Sequence, residues 1–286
     1  MNKHLISWSF GLAGLVALLG FWALAAWRVA DDPLLGQFAP LPTLQTLLEL
    51  LASSDLWQHV LLSLKRVFVG LGLALLAGVP TGLVVGSFQR VEWATTPAFQ
   101  FLRMISPLSW MPLAVMLLGV GDTPIYFLLA FAAVWPIMLN TAAGVKALDP
   151  RWLQLTRSLS ATRLETLRHV IVPGVLGHVL TGVRLSIGIL WIVLVPCEML
   201  GVSASLGYFI LDTRDRLAYS ELMAVVLLIG VLGFFLDAAA RCSTAAWRMV
   251  KKRLYAHYEA NPPALIGCAL YASNAAASAI LSRFDS

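Results

Sequence analysis

The sequence predicts an all-α membrane protein, and three observations carry that prediction. Of 286 residues, 59% are hydrophobic and only 12% charged, with a mean hydropathy of +0.81, against about 25% charged in ordinary soluble domains. Apolar runs approach or exceed the ~20 residues that a helix needs to cross a bilayer. Lys and Arg gather in a few polar segments between those runs, as they do in the loops on one side of a membrane. A net charge of +5 and an isoelectric point near 9.3 would suggest nucleic acid in a soluble chain. Here they mark cytoplasmic loops.

Six candidate spans follow, at 10–30, 67–88, 97–120, 124–145, 175–200 and 220–240. The first has the look of a secretory signal, with Lys3 ahead of an apolar stretch and Ala23-Leu24-Ala25 resembling a cleavage site. Its run is long for a signal core, so it reads as a retained anchor. With the amino terminus inside, the inner set of cations is Lys3, Arg90, Arg103, Lys146, Arg151, Arg157, Arg163, Arg168, Arg241, Arg248, Lys251, Lys252 and Arg253. The outer set is Arg28, Lys65, Arg66, Arg214 and Arg216. Thirteen against five favours an inner amino terminus. Lys65 and Arg66 run against the rule, and their stems are expected to snorkel toward the outer headgroups.

The third and fourth spans are rich in breakers. Pro97, Pro107, Pro112, Pro124 and Pro136, with Gly119 and Gly121, interrupt the hydrogen-bond ladder, and lipid offers nothing to satisfy the freed groups. Such stretches face protein or a water-filled path. Between Phe38 and Leu64, Leu44, Leu47, Leu48 and Leu51 recur at helical spacing, which predicts an external amphipathic helix on the membrane or on the bundle. The chain divides into an anchor and external segment over 1–43, a transmembrane domain over 44–253 and a tail over 254–286. Cys197, Cys242 and Cys268 form neither a disulfide framework nor a zinc pattern.

The most informative segment is the polar loop from Asp149 to Pro173. Asp149-Pro150 starts a short helix, because the carboxylate accepts orphan N–H groups and proline loses nothing at the first position. Thr162 and Glu165 have the spacing of a capping box, so a second helix begins just after the first ends at Ser160. A helical elbow of this size, with Arg157, Arg163 and Arg168 around it, is shaped to engage another protein; a solvated loop obeying the charge rule is the plainer reading.

This loop, with Val170-x-Val172-Pro173 after it, resembles the EAA loop of ABC importer permeases, in which Glu-Ala-Ala is followed by Gly and then by Ile-x-Leu-Pro. Here Gln154, Leu155 and Thr156 replace Glu-Ala-Ala and Ser160 replaces Gly. A left-handed Ser160 carries strain of about 1 kcal/mol that glycine avoids. The likeness continues through Ser106-Pro107-Leu108-Ser109-Trp110, Trp135-Pro136-Ile137-Met138-Leu139-Asn140, Glu198-Met199-Leu200 and Gly207-Tyr208-Phe209. Together these resemble the nitrate/sulfonate/taurine branch over roughly residues 44–253.

The resemblance implies a six-helix MetI-like permease bundle with a cytoplasmic coupling helix, in a bacterial inner membrane. It implies partners: a cytosolic ABC ATPase dimer, a second permease copy, most simply an identical one, and a periplasmic solute-binding protein that does most of the selecting. Gln154, Arg157, Ser158, Ser160, Ala161, Thr162, Arg163 and Glu165 would contact the ATPase. The chain has no G-x-x-x-x-G-K-[ST] phosphate loop, so no cofactor is expected on it, and ATP and magnesium belong to the ATPase. The transported solute would be a small anion.

Within the spans, Ser106, Ser109 and Asn140 beside prolines are candidates to line the path, where helix ends and hydroxyls suit an anion. Glu198, near the outer end of the fifth span, lines the exit from the binding protein or sits at headgroup level. Arg184 and Asp237 are expected to pair, since each is costly alone in a bilayer. Gly201-Val202-Ser203-Ala204 with His169 or His178 suggests an intramembrane serine protease, but the serine and the histidines fall at opposite ends of a span. The stronger alternative is a secondary transporter or channel; it calls for coupling ions and repeated halves, which the sequence does not display.

Overall fold

The computed structural model describes residues 2–28, 35–158 and 160–260, and every regular element among them is helical. In chain order these are α1 (Asn2–Trp27), a 3-10 turn at Leu35–Phe38, α2 (Pro40–Ala52), α3 (Ser54–Ser87) and α4 (Gln89–Met104). A 3-10 turn at Pro107–Trp110 leads to α5 (Met111–Leu118), α6 (Asp122–Lys146), α7 (Pro150–Ser158) and α8 (Arg163–Thr166). A π-turn at Leu167–Ile171 then opens α9 (Val172–Gly201), followed by α10 (Leu206–Asp215) and α11 (Tyr219–Ala260). The chain forms two units, Met1–Ala240 and Arg241–Ser286. The second contains the end of α11; the tail beyond Ala260, with Cys268, lies outside the described residues.

Four helices are long and apolar enough to cross a membrane: Ser54–Ser87, Asp122–Lys146, Leu164–Gly201 and Tyr219–Trp247. The pair Gln89–Met104 and Pro107–Leu118, bent by 87°, makes a fifth if counted as one span. These correspond to the second through sixth predicted spans. The first falls in α1, a helix of 26 residues.

The breakers act more selectively than their number suggests. α4 stops at Met104, and Ile105 and Ser106 run extended ahead of Pro107, with ψ of 125° and 131°. Pro112 and Pro124 sit in the first turns of α5 and α6, where their missing N–H has no intrahelical partner to lose. Pro97 and Pro136 lie within continuous helices. The chain turns into α6 at Gly119 and Gly121, whose φ values of 81° and 127° exclude most side chains.

What holds the bundle is a stripe of small residues on α3. Gly70, Ala74, Gly78, Gly82 and Gly86 recur every fourth residue and so share one face. A Cβ at Gly70 would lie 2.7 Å from Leu129 Cβ, one at Gly82 2.6 Å from the Met138 carbonyl oxygen, and one at Gly86 2.9 Å from that of Ala142. The order of these contacts makes α3 and α6 parallel. In lipid, helices gain little from the hydrophobic effect, so close backbone approach supplies the association. On α6's other side, Gly144 abuts Val175 and His178 while Gly182 abuts Pro136 and Ile137, which sets α9 antiparallel. Leu71, Ile125, Leu128, Leu129, Ile137, Leu190 and Leu194 fill the core between the three helices.

A second cluster joins Leu56 and Val60 of α3 to Leu206 and Phe209 of α10 and to Val225 and Leu228 of α11, with Leu47, Leu50 and Leu51 of α2 packed on it. The predicted amphipathic helix therefore lies on the bundle. It ends at Ala52, and α3 takes over from Ser54. Leu44 and Leu48 remain exposed.

Candidate functional site

The loop joining α6 to α9 folds as a capped elbow. Asp149 Oδ1 accepts the Arg151 N–H at 2.9 Å, and its carbonyl accepts that of Trp152 at 3.1 Å, which fixes the start of α7. At the other end the Ala161 N–H donates to the Thr156 carbonyl at 2.9 Å across Ser160, whose φ is 53°. This is a Schellman-type stop, with serine where glycine is usual. Immediately afterwards the Glu165 N–H donates to Thr162 Oγ1 at 3.3 Å and the Thr162 N–H to Glu165 Oε2 at 2.8 Å. Both halves of the capping box are made. The Val172 N–H then reaches back five residues to the Leu167 carbonyl. This wide turn absorbs the donor that Pro173 lacks.

Gln154, Ser158, Ser160, Thr162 and Glu165 are exposed, and Ala161 is half-buried. The side chains of Arg157 and Arg163 lie outside the described residues. Sequence reasoning passed over the apolar side chains of this elbow. Trp152, Leu155 and Leu164 are 49%, 49% and 72% exposed on a segment that stands off the bundle core. Large apolar groups on a polar loop were the available signal, and they suit docking into a groove.

At the far end of the bundle, opposite this elbow, four helices meet on a buried ion cluster. Arg66 of α3 is 3% exposed and Glu198 of α9 is 0% exposed. Arg66 Nη1 donates to Glu198 Oε1 at 2.8 Å, Nε and Nη2 donate to Asp122 Oδ1 at 3.0 and 2.8 Å, and both Nη atoms reach the Ala204 carbonyl. Glu198 Oε2 accepts from Ser63 Oγ at 2.9 Å and from the Gly207 N–H at 3.2 Å. Its carboxylate thus faces the amino end of α10, where the helix dipole favours negative charge. Gly207 makes the approach possible: a Cβ there would lie 2.6 Å from the Val195 carbonyl oxygen. Ser205 Oγ caps α10 by accepting the Tyr208 N–H at 3.0 Å.

Two expectations are corrected by this cluster. Arg66 does not snorkel, because two carboxylates and a carbonyl saturate its fork inside the protein. Glu198 does not line an open exit; it is fully enclosed. Arg66 and Asp122, the latter with a side chain 37% exposed, line a cavity at this end together with Val120, Gly121, Gly201, Val202, Ser203 and Ala204.

The remaining sequence candidates are scattered. Ser106 and Ser109 are exposed at the bend between α4 and α5. Asn140 Nδ2 donates to the Pro136 carbonyl of its own helix at 2.8 Å, so its amide is engaged locally. Arg184 Nε stands 3.5 Å from Asp237 Oδ1, with both side chains partly exposed. The structure does not bring Ser106, Asn140 and Glu198 into one site. Arg103, counted from sequence among the loop cations, lies instead at the end of α4, where it lines a cavity with Trp135 from the interior of α6.

Parallel and antiparallel apolar helices, a bent span and a capped elbow between two spans make this a polytopic helical membrane bundle, and the family it matches is one of transport components. The chain belongs to the family of binding-protein-dependent transport system inner membrane components, which matches residues 74–248. It is 30% identical over 241 residues to the taurine transport system permease protein TauC of Escherichia coli (strain K12), covering 82% of this chain and 86% of that one. It is 34% identical over 183 residues to the bicarbonate transport system permease protein CmpB of Synechocystis sp. (strain ATCC 27184 / PCC 6803 / Kazusa), covering 63% of this chain and 65% of that one. With the nitrate import permease protein NrtB of Leptolyngbya laminosa it shares 32% over 182 residues, 64% of this chain and 65% of that one. The chain thus spans just under two thirds of the latter two. Its fold matches that of the methionine ABC transporter MetNI in an inward-facing conformation, with a TM-score of 0.56 at 14% identity, over 68% of this chain and 96% of that one.

Proposed function

We propose that this chain moves a small anion across the bacterial inner membrane, driven by a separate ATPase that grips the elbow of α7 and α8. The observation that carries this reading is the elbow itself: two capped helices, rigidly closed at both ends and presenting Trp152, Leu155 and Leu164, inserted between spans that pack closely. Displacement of such an element is passed to the bundle through α6 and α9, which pack closely at Gly144 and Gly182. Dense interiors transmit displacement rather than absorb it. ATP binding would draw two elbows together and switch the bundle between outward and inward states by rigid-body motion.

The elbow end is then cytoplasmic, the amino terminus with it, and the Arg66 cluster faces the side where a solute-binding protein delivers the anion. A second copy completes the path, and the ATP and magnesium stay on the ATPase chains. The solute is a small oxyanion such as nitrate, a sulfonate or bicarbonate, a reading supported by the chemistry shared among the solutes that the relatives are named for.

The test is co-purification of the tagged chain with its ATPase, together with ATP-dependent uptake in reconstituted vesicles. Ser160→Pro removes the positive φ that the stop requires, and Leu164→Asp puts a charge on the docking face. Loss of ATPase from the purified complex in both variants is expected. Full assembly and ATP-driven uptake with both changes in place would remove the elbow from the mechanism, and uptake without ATP would favour a secondary transporter.

A further inference from the structure

We infer that the cavity between α4 and α6 is the intramembrane binding site for the transported oxyanion, with Arg103 as its counter-charge; this rests on the transport reading above. The cavity measures about 240 Å³, below the ~300–1,000 Å³ of sites that hold drug-sized ligands, so it suits a small solute. One face of α4 supplies Glu92, Thr96, Phe99, Gln100 and Arg103, and α6 supplies Trp135, Met138, Leu139 and Lys146.

The charges in it do not cancel. Lys146 Nζ donates to Glu92 Oε1 at the elbow end, which neutralises both. Arg103 has no hydrogen-bond or ion-pair partner among the described residues, and neither has the Gln100 amide. The lining therefore carries one unpaired positive charge.

Its depth makes that charge informative. The Phe99 ring lies 5.8 Å from that of Trp135, tilted by 56°; Trp135 is close to halfway along the 25 residues of α6, and Arg103 is one helical turn further from the elbow. A helix of that length extends about 37 Å, so the guanidinium stands near the middle of a bilayer core of about 30 Å. An ionised group at that depth faces water, a partner or a ligand. The guanidinium fork matches two oxygens on one centre. Gln100, one turn back on the same face, offers an amide N–H to a third.

Vesicles holding the assembled complex test this with sodium nitrate, sodium bicarbonate and taurine as probes. Leu139→Cys places a thiol in the cavity wall, and its alkylation by N-ethylmaleimide is read on the peptide by mass spectrometry. At least one probe is expected to slow alkylation about threefold or more; Arg103→Gln abolishes that protection and raises the KM of ATP-driven uptake about tenfold, the loss of one charged hydrogen-bonding group. Arg103→Lys keeps part of both. If Leu139→Cys disrupts assembly, Ala143→Cys in the same lining takes its place.

Protection by no probe, equal protection with Arg103→Gln, or a fall in kcat with KM unchanged, as a lipid-phosphate contact would give, overturns the assignment. Protection without ATP-driven uptake keeps the site and overturns the transport reading instead.

Discussion

Arg66 Nη1 and Glu198 Oε1, 132 residues apart in sequence, lie 2.8 Å apart with both side chains buried. The pair ties α3 to α9, and Asp122 and Gly207 extend it to α6 and α10. Removing one member leaves the other charged and enclosed. Glu198→Ala is expected to destabilise the protein by about 3–5 kcal/mol, read as a drop in thermal stability of the purified membrane protein. Glu198→Gln, which still offers an acceptor to Ser63, costs less. Asp122→Asn costs least, because that side chain already meets solvent; equal losses at all three would contradict the cluster's hierarchy.

Ser160 holds a φ of 53°. Ser160→Gly removes strain of about 1 kcal/mol and should stabilise the elbow. Hydrogen exchange at the Ala161 amide, which is bonded across the turn to Thr156, is expected to slow about fivefold. Unchanged or faster exchange would count against the strained stop.

Gly82 and Gly72 sit on the same helix with different neighbours. A methyl at Gly82 meets Met138 and Thr141 at 2.6 Å, whereas one at Gly72 meets nothing within 4 Å. Gly82→Ala should cost about 1–3 kcal/mol by overpacking. Gly72→Ala should be neutral or gain about 0.5–1 kcal/mol from helix propensity. Thermal unfolding of the two variants in one detergent compares them directly.

Leu164, 72% exposed and placed within the capping box between Thr162 and Glu165, is expected to act as an anchor in the ATPase groove. Leu164→Asp should weaken ATPase binding by about tenfold or more, as loss of a buried apolar anchor does at protein interfaces. Glu221→Gln, at the other end of the molecule, should leave binding unchanged. Titration of ATPase onto immobilised complex reads both.

Much of this molecule was legible in its sequence. The membrane class followed from composition, and five of the six expected spans from apolar runs that match described helices or a bent pair. The two ends of the elbow followed from Asp149-Pro150 and Thr162 with Glu165, because capping is chemistry between residues at most a few positions apart. The positive φ at Ser160 was implied by the glycine that stands there in the family. The small-residue stripe on α3 is written in the sequence at a spacing of four, but which neighbour it packs against is not.

The tertiary structure decided what depends on partners distant in the chain. Arg66 looked like an interfacial cation until α6 and α9 brought Asp122 and Glu198 to it, and Glu198 looked like part of an exit for the same reason. Arg103 read as a loop charge because local sequence does not reveal that α4 packs beside α6 and carries Arg103 to a cavity shared with Trp135. A side chain's depth and its counter-ion are properties of how helices pack. Periodicity and caps, which depend only on neighbours along the chain, are written in the sequence itself.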